Sequence, residues 1–176
     1  MYYISPQVWA WRSGRVARIG RLSDRIAVIL PFEQEFYRQR RVAVDFVGHP
    51  LMDSVKTTQS REEFRRSHAI EPGKTVIGLI PGSRSKEISA LLPDFLAAAK
   101  RLTVTTDNDY VFLVPRASTI SEKLLNENGI DRFRDQLDIR VSDTNRYDLM
   151  AACDAVVAAS GTVILELAIL GIPTVA

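Results

Sequence analysis

Val76 to Glu87 reads V-I-G-L-I-P-G-S-R-S-K-E, and this stretch decides the fold class. Five mostly apolar residues run into a Pro-Gly turn, and Ser83, Arg84, Lys86 and Glu87 follow before an amphipathic segment opens. A buried parallel strand ends in this way at a phosphate-binding turn. A helix starting just after Gly82 would aim its free backbone N–H groups, and the positive end of its dipole, into the crevice above the strand ends. Arg84 adds a planar fork of donors suited to a phosphate. The same residues also suit an ordinary strand-to-helix connection with a surface arginine, so the flanking sequence has to decide between them.

Downstream, strands and helices alternate. Ile88 to Leu92 reads as helix, with Pro93 restarting or kinking it before Phe95, Ala99 and Leu102 continue the pattern. Tyr110 to Val114 and Leu137 to Val141 read as strands, with a helix from Ile120 to Asn128 closed by Gly129 between them. Arg146 to Ala152 is a short helix, Ala155 to Ala158 a buried strand, and Val163 to Leu170 a helix stopped by Gly171. Asp107-Asn108-Asp109 looks like a D-x-D metal site, but it precedes a strand instead of following one and reads better as a turn.

Upstream, Tyr2 to Ile4 resembles the tail of a strand and Pro6 to Ala10 a loop. Arg12, Arg15, Arg18, Arg21 and Arg25 then form a basic stripe opposite Val16, Ile19, Leu22 and Ile26, as on an amphipathic helix ending near Leu22. With Trp9 and Trp11 beside it, this segment fits either a surface that meets anionic lipid headgroups or a solvated helix face with core tryptophans. Arg25 to Leu30 and Val42 to Val47 read as strands around a helix from Phe32 to Arg40 opened by Pro31. Gly48-His49-Pro50 breaks the pattern, and the domain boundary is placed there, giving 1–50 and 51–176. His49 suits a catalytic base or, more simply, a hydrogen-bonding turn residue.

Composition bounds the function. With 46% hydrophobic residues in 176, the chain can bury a sizeable core. One cysteine, Cys153, excludes an internal disulfide and a cysteine metal cluster, and suits a reducing compartment. The most apolar tract, Ala155 to Ala176, is broken by Gly161, Glu166, Gly171 and Pro173, which argues against a spanning helix. Residues 1–50 hold eight arginines against four acids, while the remainder is close to balanced. That excess is too local for a nucleic-acid groove, so no nucleic-acid partner is expected.

A second site repeats the construction of the first. Ser160 to Leu167 reads S-G-T-V-I-L-E-L: a buried strand, a turn at Ser160-Gly161-Thr162, then a helix N-terminus facing an anion. Glu166 is the only ionisable residue between Ala155 and Ala176. Burying a carboxylate among Val, Ile and Leu costs several kcal/mol, roughly, unless it is paired. A ribose could satisfy it through two adjacent hydroxyls; alternatively, Glu166 reaches solvent from the exposed side of the helix. No G-x-G-x-x-G follows a strand, and neither G-x-x-x-x-G-K-[ST] nor G-x-S-x-G occurs. Two phosphate-suited turns and a carboxylate at the carboxyl ends of parallel strands favour a nucleotide in the crevice of a doubly wound α/β sheet.

These residues carry a family resemblance. Tyr2-Tyr3-Ile4-Ser5-Pro6-Gln7-Val8-Trp9-Ala10-Trp11-Arg12, Leu30-Pro31-Phe32-Glu33, Gly48-His49-Pro50, Ile80-Pro81-Gly82-Ser83-Arg84 with Glu87-Ile88, and Ser160-Gly161-Thr162 with Leu165-Glu166 closely resemble lipid-A-disaccharide synthases, in order over essentially the whole chain. The resemblance implies an α/β fold of the GT-B type, two Rossmann-like domains with parallel sheets, here truncated at both ends. Residues 1–50 would be the C-terminal part of the acceptor-side domain and 51–176 an incomplete donor domain. The implied reaction joins UDP-2,3-diacylglucosamine to 2,3-diacylglucosamine 1-phosphate by an inverting, metal-independent hexosyl transfer, releasing UDP and the β-1,6-linked lipid A disaccharide 1-phosphate. Arg84 would be the catalytic leaving-group contact. Gly82, Ser83, Glu87, Ser160, Gly161, Thr162 and Glu166 would bind substrate, with no cofactor and no metal. The implied setting is cytoplasmic and peripheral on the inner face of the inner membrane, with the Trp9 to Arg25 region on the membrane surface and an oligomer left open. The general base would lie in the absent N-terminal part, so these residues alone would be inactive.

Two rivals carry their own discriminators. A UDP-N-acetylglucosamine 2-epimerase of the same fold would have no use for a lipid-facing Trp9 and Trp11 segment. A catalytically inactive nucleotide-binding fragment would bind UDP without turnover.

Overall fold

The structure is a computed structural model that describes residues 1–176. The chain forms two units, 1–54 and 55–176. The break falls a few residues beyond Pro50, because the short helix Leu51–Ser54 starts from the Gly-His-Pro turn and stays with the first unit.

The first unit contains β1 (Tyr2–Tyr3), α1 (Val8–Trp11), α2 (Val16–Leu22), β2 (Ile26–Val28), α3 (Pro31–Arg38), β3 (Asp45–Phe46) and α4 (Leu51–Ser54). Its three strands pair in parallel in the order β1-β2-β3. Val8, Val16, Ile19, Ile26, Val28 and Tyr37 form the core. The expected continuous basic helix is broken by a 3-10 turn at Ser13–Arg15, and the expected loop at Pro6 to Ala10 is partly helical. Val8 on α1 and Val16 on α2 are both buried in the core on either side of this turn.

The second unit contains α5 (Arg61–Ser67), β4 (Thr75–Ile80), α6 (Ser85–Thr105), β5 (Tyr110–Pro115), α7 (Glu122–Glu127), α8 (Ile130–Arg134), β6 (Ile139–Ser142), α9 (Arg146–Ala152), β7 (Ala155–Ala158), α10 (Thr162–Leu170) and β8 (Thr174–Val175). All five strands are parallel, in the order β6-β5-β4-β7-β8. Side chains alternate across the sheet, as period-two strands require. Val76, Ile80, Val111 and Leu113 face a core shared with α5, α9 and α10. Leu79, Phe112 and Val114 face a second core shared with α6, α7 and α8. Helices therefore cover both faces, which is why these strands read as nearly unbroken apolar runs.

Pro93 does not divide α6, which runs unbroken for 21 residues. An interior proline costs about 3 kcal/mol, but Ile88, Leu92, Leu96 and Ala99 are all buried, and burying a large apolar side chain contributes about 1.5–3 kcal/mol. The helix expected to close at Gly129 does so: α7 ends just before this glycine (φ 115°), and a further short helix that the sequence did not suggest, α8, follows and buries Ile130 and Phe133. Gly78 positions α9. A Cβ there would stand 2.8 Å from Val156 and 3.1 Å from Cys153 Sγ, so only glycine lets the end of α9 lie this close to β4.

Candidate functional site

Strand order reverses between β4 and β7: from β4 the chain proceeds to β5 and β6 on one side, and to β7 and β8 on the other. Such a switch point opens a crevice at the carboxyl ends of the two central strands. Both turns singled out in the sequence lie there, Gly82-Ser83-Arg84 after β4 and Ser160-Gly161-Thr162 after β7. Ala159 N–H donates to the Ile80 carbonyl at 2.8 Å and holds the two strand ends together. The cavity between them is about 250 Å³ and is lined by residues from both turns together with Glu87, Arg116, Thr144, Arg146 and Glu166. This is near the lower end of the size range for small-ligand sites, about 300–1,000 Å³.

At the first turn Gly82 adopts φ 108°, a conformation that side-chain-bearing residues rarely take. Glu87, on the first turn of α6, folds back beneath it. Its Oε2 accepts from the N–H groups of Ser83 (3.1 Å) and Arg84 (3.2 Å), and its Oε1 accepts from Arg84 Nη1 (2.6 Å). The Arg84 guanidinium, and after it the Ser83 and Arg84 N–H groups, hold the Glu87 carboxyl below the usual carboxylate range. This corrects one expectation: the N–H groups of Ser83 and Arg84 are not free, because Glu87 already occupies them. By helix geometry the following N–H groups, of Ser85 and Lys86, have no intrahelical partner. Thr119 Oγ1 donates to the Ser83 carbonyl (3.3 Å) and braces the turn from the segment after β5.

At the second turn Gly161 is extended (φ 162°), and nothing stands within 4 Å of where its Cβ would be. Neither backbone nor packing requires glycine there, whereas a ligand approaching the main chain would. Glu166, one turn into α10, is 3% exposed. It does not reach solvent from the open side of the helix. Its Oε1 accepts from Arg146 Nη2 (2.8 Å) and Tyr147 Oη–H (3.4 Å), so protein groups supply the pairing that the sequence reading assigned wholly to a ligand.

Three arginines line the cavity, and each is matched to a carboxylate: Arg84 with Glu87, Arg146 with Glu166, and Arg116 with Asp143 at 2.7 Å. The Arg116 guanidinium holds the Asp143 carboxyl low. Arg116, Asp143, Arg146 and Tyr147 were missed in the sequence. The available signal was the buried Glu166 itself, which needed a cationic partner from the helix preceding its strand. The arginines and the buried Glu166 carboxylate that line the cavity can bind anions and hydroxyls respectively.

In the first unit the motif residues form a structural clasp. Glu33, 1% exposed, accepts from Ile29 N–H (3.2 Å), Leu30 N–H (2.9 Å) and Trp9 Nε1–H (3.2 Å). Trp9 packs edge-on against Phe32 at 5.0 Å. Trp11, in contrast, is 80% exposed, and Arg12, Arg15, Arg18 and Arg21 are exposed beside it in the sequence. His49 Nδ1 accepts from Leu51 N–H at 3.2 Å, the role of a turn residue.

The family model described as lipid-A-disaccharide synthetase matches residues 1–176. The lipid-A-disaccharide synthase of Geobacter sulfurreducens is 47% identical over 179 residues, covering 99% of this chain and 44% of that protein. The enzyme of the same name from Nitrosococcus oceani is 48% identical over 175 residues, with 99% and 44% covered. The chain thus spans less than half the length of the curated relatives it matches. Among solved structures, UDP-GlcNAc 2-epimerase from Neisseria meningitidis bound to UDP-GlcNAc superposes with a TM-score of 0.63 at 14% identity, over 98% of this chain and 50% of that one. Anabaena HepE in complex with UDP superposes with a TM-score of 0.54 at 17% identity, over 99% and 52%. At these identities the superpositions show a shared parallel α/β fold.

Proposed function

The chain belongs to the lipid-A-disaccharide synthase family, and on that premise we propose that it supplies the donor-nucleotide site of a GT-B glycosyltransferase. The reaction joins UDP-2,3-diacylglucosamine to 2,3-diacylglucosamine 1-phosphate and releases UDP and the lipid A disaccharide 1-phosphate. Residues 55–176 are the donor domain, and 1–54 belong to the acceptor-side domain. The observation that carries the reading is the buried Glu166 carboxylate at the switch-point crevice, between two helix N-termini. A nucleotide diphosphate offers that crevice what it lacks: anionic oxygens for the N–H groups and arginines, and hydroxyls for the carboxylate.

The 6-hydroxyl of the acceptor attacks the anomeric carbon from the face opposite the UDP, giving up its proton to a general base assigned to the part of the relatives' length that this chain does not span, and the bond from that carbon to the β-phosphate oxygen breaks with its electron pair leaving on UDP. Negative charge then grows on the departing UDP. Arg84, with a side chain 80% exposed at the rim, turns from Glu87 to the β-phosphate. The N-termini of α6 and α10 face the same charge. Donors fixed in advance around the leaving group stabilise the transition state more than the ground state. Gly82 and Ser83 shape the cradle, Glu87 sets the Arg84 position, Ser160, Gly161 and Thr162 border the phosphates, and Glu166 holds the ribose. The exposed Trp11 and its neighbouring arginines rest on anionic lipid at the inner face of the inner membrane, where acylated substrates reside.

Calorimetric titration of UDP into the chain tests the site. Wild type binds, and Glu166→Ala binds at least about tenfold more weakly; an unaltered isotherm would remove Glu166 from the ribose. Turnover is assigned to a protein of the relatives' length. Assaying such a protein beside the 176-residue chain tests that assignment, and equal rates would overturn it.

A further inference from the structure

The first-unit motifs that the donor site leaves unused come together at one edge. Ile4 follows β1, Ile29 to Phe32 follow β2, and Val47 to Pro50 follow β3, so all three stretches stand at the carboxyl ends of parallel neighbours. Ser5 N–H donates to the Ala27 carbonyl (3.2 Å) and Val47 N–H to the Val28 carbonyl (3.0 Å), which ties the outer two stretches to β2. None of residues 2–11, 26–32 or 46–52 is Asp, Glu, Lys or Arg, although residues 1–50 carry eight arginines and four acids. Charge is kept elsewhere on the unit, while Ile4, Phe32 and Val47 are 40%, 50% and 52% exposed along this edge.

Ile4 is also strained. Its φ is 59°, a left-handed conformation that a β-branched residue rarely takes. The other two non-glycine residues with positive φ, Arg41 and Ala69, lie just past α3 and α5, where a left-handed residue commonly stops a helix. Ile4 stops no helix. It is caught between fixed neighbours: Tyr3 pairs with Ala27, and the buried Ser5 shares a hydrogen bond between its hydroxyl and that of the buried Tyr37. Pro6 further restricts Ser5 to extended backbone. A turn needed only to bring Ser5 to Tyr37 would be formed with less strain by Gly or Asn. Isoleucine instead sets an apolar side chain partly into solvent, where burial offsets only part of the backbone cost.

Resting on the acceptor-side reading of residues 1–54 above, we propose that Ile4 is a specificity-determining residue: the strained turn holds its side chain out along the uncharged edge, where it meets an acyl chain of the acceptor beside Phe32 and Val47. An acyl chain is the part of the acceptor that an edge without charged side chains recognises, whereas the 1-phosphate calls for a cation. Strained backbone persists where its surroundings over-determine it, and at a ligand contact it serves pre-organisation. A side chain fixed before the ligand arrives loses little freedom on binding, so more of its contact goes into telling acylated from short-chain acceptors.

The test is steady-state kinetics in a protein of the relatives' length, with one donor, diacylglucosamine 1-phosphate acceptors of graded acyl length, and thermal melts alongside. In wild type, kcat/KM rises with acceptor chain length. Ile4→Gly and Ile4→Asn both accept left-handed backbone. Each raises the KM for the long-chain acceptor at least about fivefold, flattens the dependence on chain length, and leaves the donor KM within about twofold. Neither lowers the melting temperature, because the strain is relieved. Val47→Ser, at a position without positive φ, flattens the dependence as well. Ile4 variants that keep the wild-type dependence overturn the proposal. So does a KM raised equally for long and short chains, or a fall in kcat that tracks a fall in melting temperature, since either marks a merely structural turn. If neither Ile4 variant folds, Val47→Ser decides, and an unchanged dependence there overturns the proposal. A wild type that makes no disaccharide overturns the proposed function itself, whereas a wild type that turns over with no dependence on chain length overturns this inference alone, so the two failures are distinct.

Discussion

Glu87 occupies the space that Gly82 leaves open. A Cβ on Gly82 would stand 2.9 Å from Glu87 Cβ and closer still to Oε2, so the turn glycine after β4 and the residue whose carboxylate caps α6 leave no room for a side chain between them. The turn is therefore set by a pair, a glycine at φ 108° and a carboxylate folded beneath it.

Gly82→Ala follows from this directly. The substitution imposes an unfavourable backbone conformation costing about 1–3 kcal/mol and also expels the Glu87 carboxylate. The melting temperature falls by roughly 2–10 °C, and UDP affinity falls with it. Scanning calorimetry with and without UDP measures both; an unchanged melting temperature would show that the turn tolerates a side chain.

Arg84→Ala lowers kcat at least about tenfold in a protein of the relatives' length, with a smaller change in KM, because the guanidinium meets charge that develops only as UDP leaves. Steady-state kinetics over a range of donor concentrations separates the two parameters. A raised KM with unaltered kcat would make Arg84 a ground-state binding residue instead.

Asp148 governs acid stability. It is buried and accepts from Thr58 N–H (2.6 Å) and Oγ1–H (2.5 Å), with longer contacts from Gln59 N–H (3.5 Å) and Nε2 (3.3 Å). Burial alone pushes its pKa up, but these hydrogen bonds together outweigh burial and hold it below the usual aspartate range. A depressed folded-state pKa contributes stability that is fully present above the unfolded value, about 3.9, and is lost as pH falls through the folded value. Asp148→Asn therefore costs about 1–3 kcal/mol at pH 7, and the gap from wild type narrows below about pH 4. Urea unfolding at a series of pH values reads it; a gap independent of pH would assign the loss to packing alone.

The two tryptophans separate. Trp9→Phe removes a donor from the buried Glu33 and destabilises the fold by about 1–3 kcal/mol, leaving lipid binding unchanged. Trp11→Ser leaves stability within about 0.5 kcal/mol and weakens binding to vesicles containing anionic phosphatidylglycerol. Arg18→Glu and Arg21→Glu weaken it further, by at least about fivefold each, and the effect shrinks with added salt. Vesicle sedimentation with parallel thermal melts distinguishes them, and equal behaviour of the two tryptophans would overturn the division.

Local order was legible in the sequence where punctuation was strong. Arg146–Ala152 and Ala155–Ala158 have the same bounds in both readings, because Asn145 caps the helix, Asp154 separates it from the strand and the Ser160-Gly161 turn follows. The two turns were legible because glycine and the following polar residues mark them. Pairing at a distance was not. Arg146 and Glu166 lie 20 residues apart on different helices, and nothing in either local pattern records the other. Glu87 was read as a ligand contact because its capping role depends on the Gly82 turn bringing Ser83 and Arg84 back over it. Pro93 suggested a restart or kink because local propensity weighs the proline without the four buried side chains that carry α6 past it.

The packing that seats α9 against Gly78 has a practical corollary. Cys153, the sole cysteine, is buried there, donates to the Leu149 carbonyl at 3.2 Å, and has its thiol pushed up to about 12 by burial. Alkylating reagents need an accessible thiolate, so the native thiol stays silent in the folded protein. A single new cysteine at Thr144 or Trp11 would then take a fluorophore alone, giving reporters at the rim of the crevice and on the exposed Trp11 segment without a cysteine-free background.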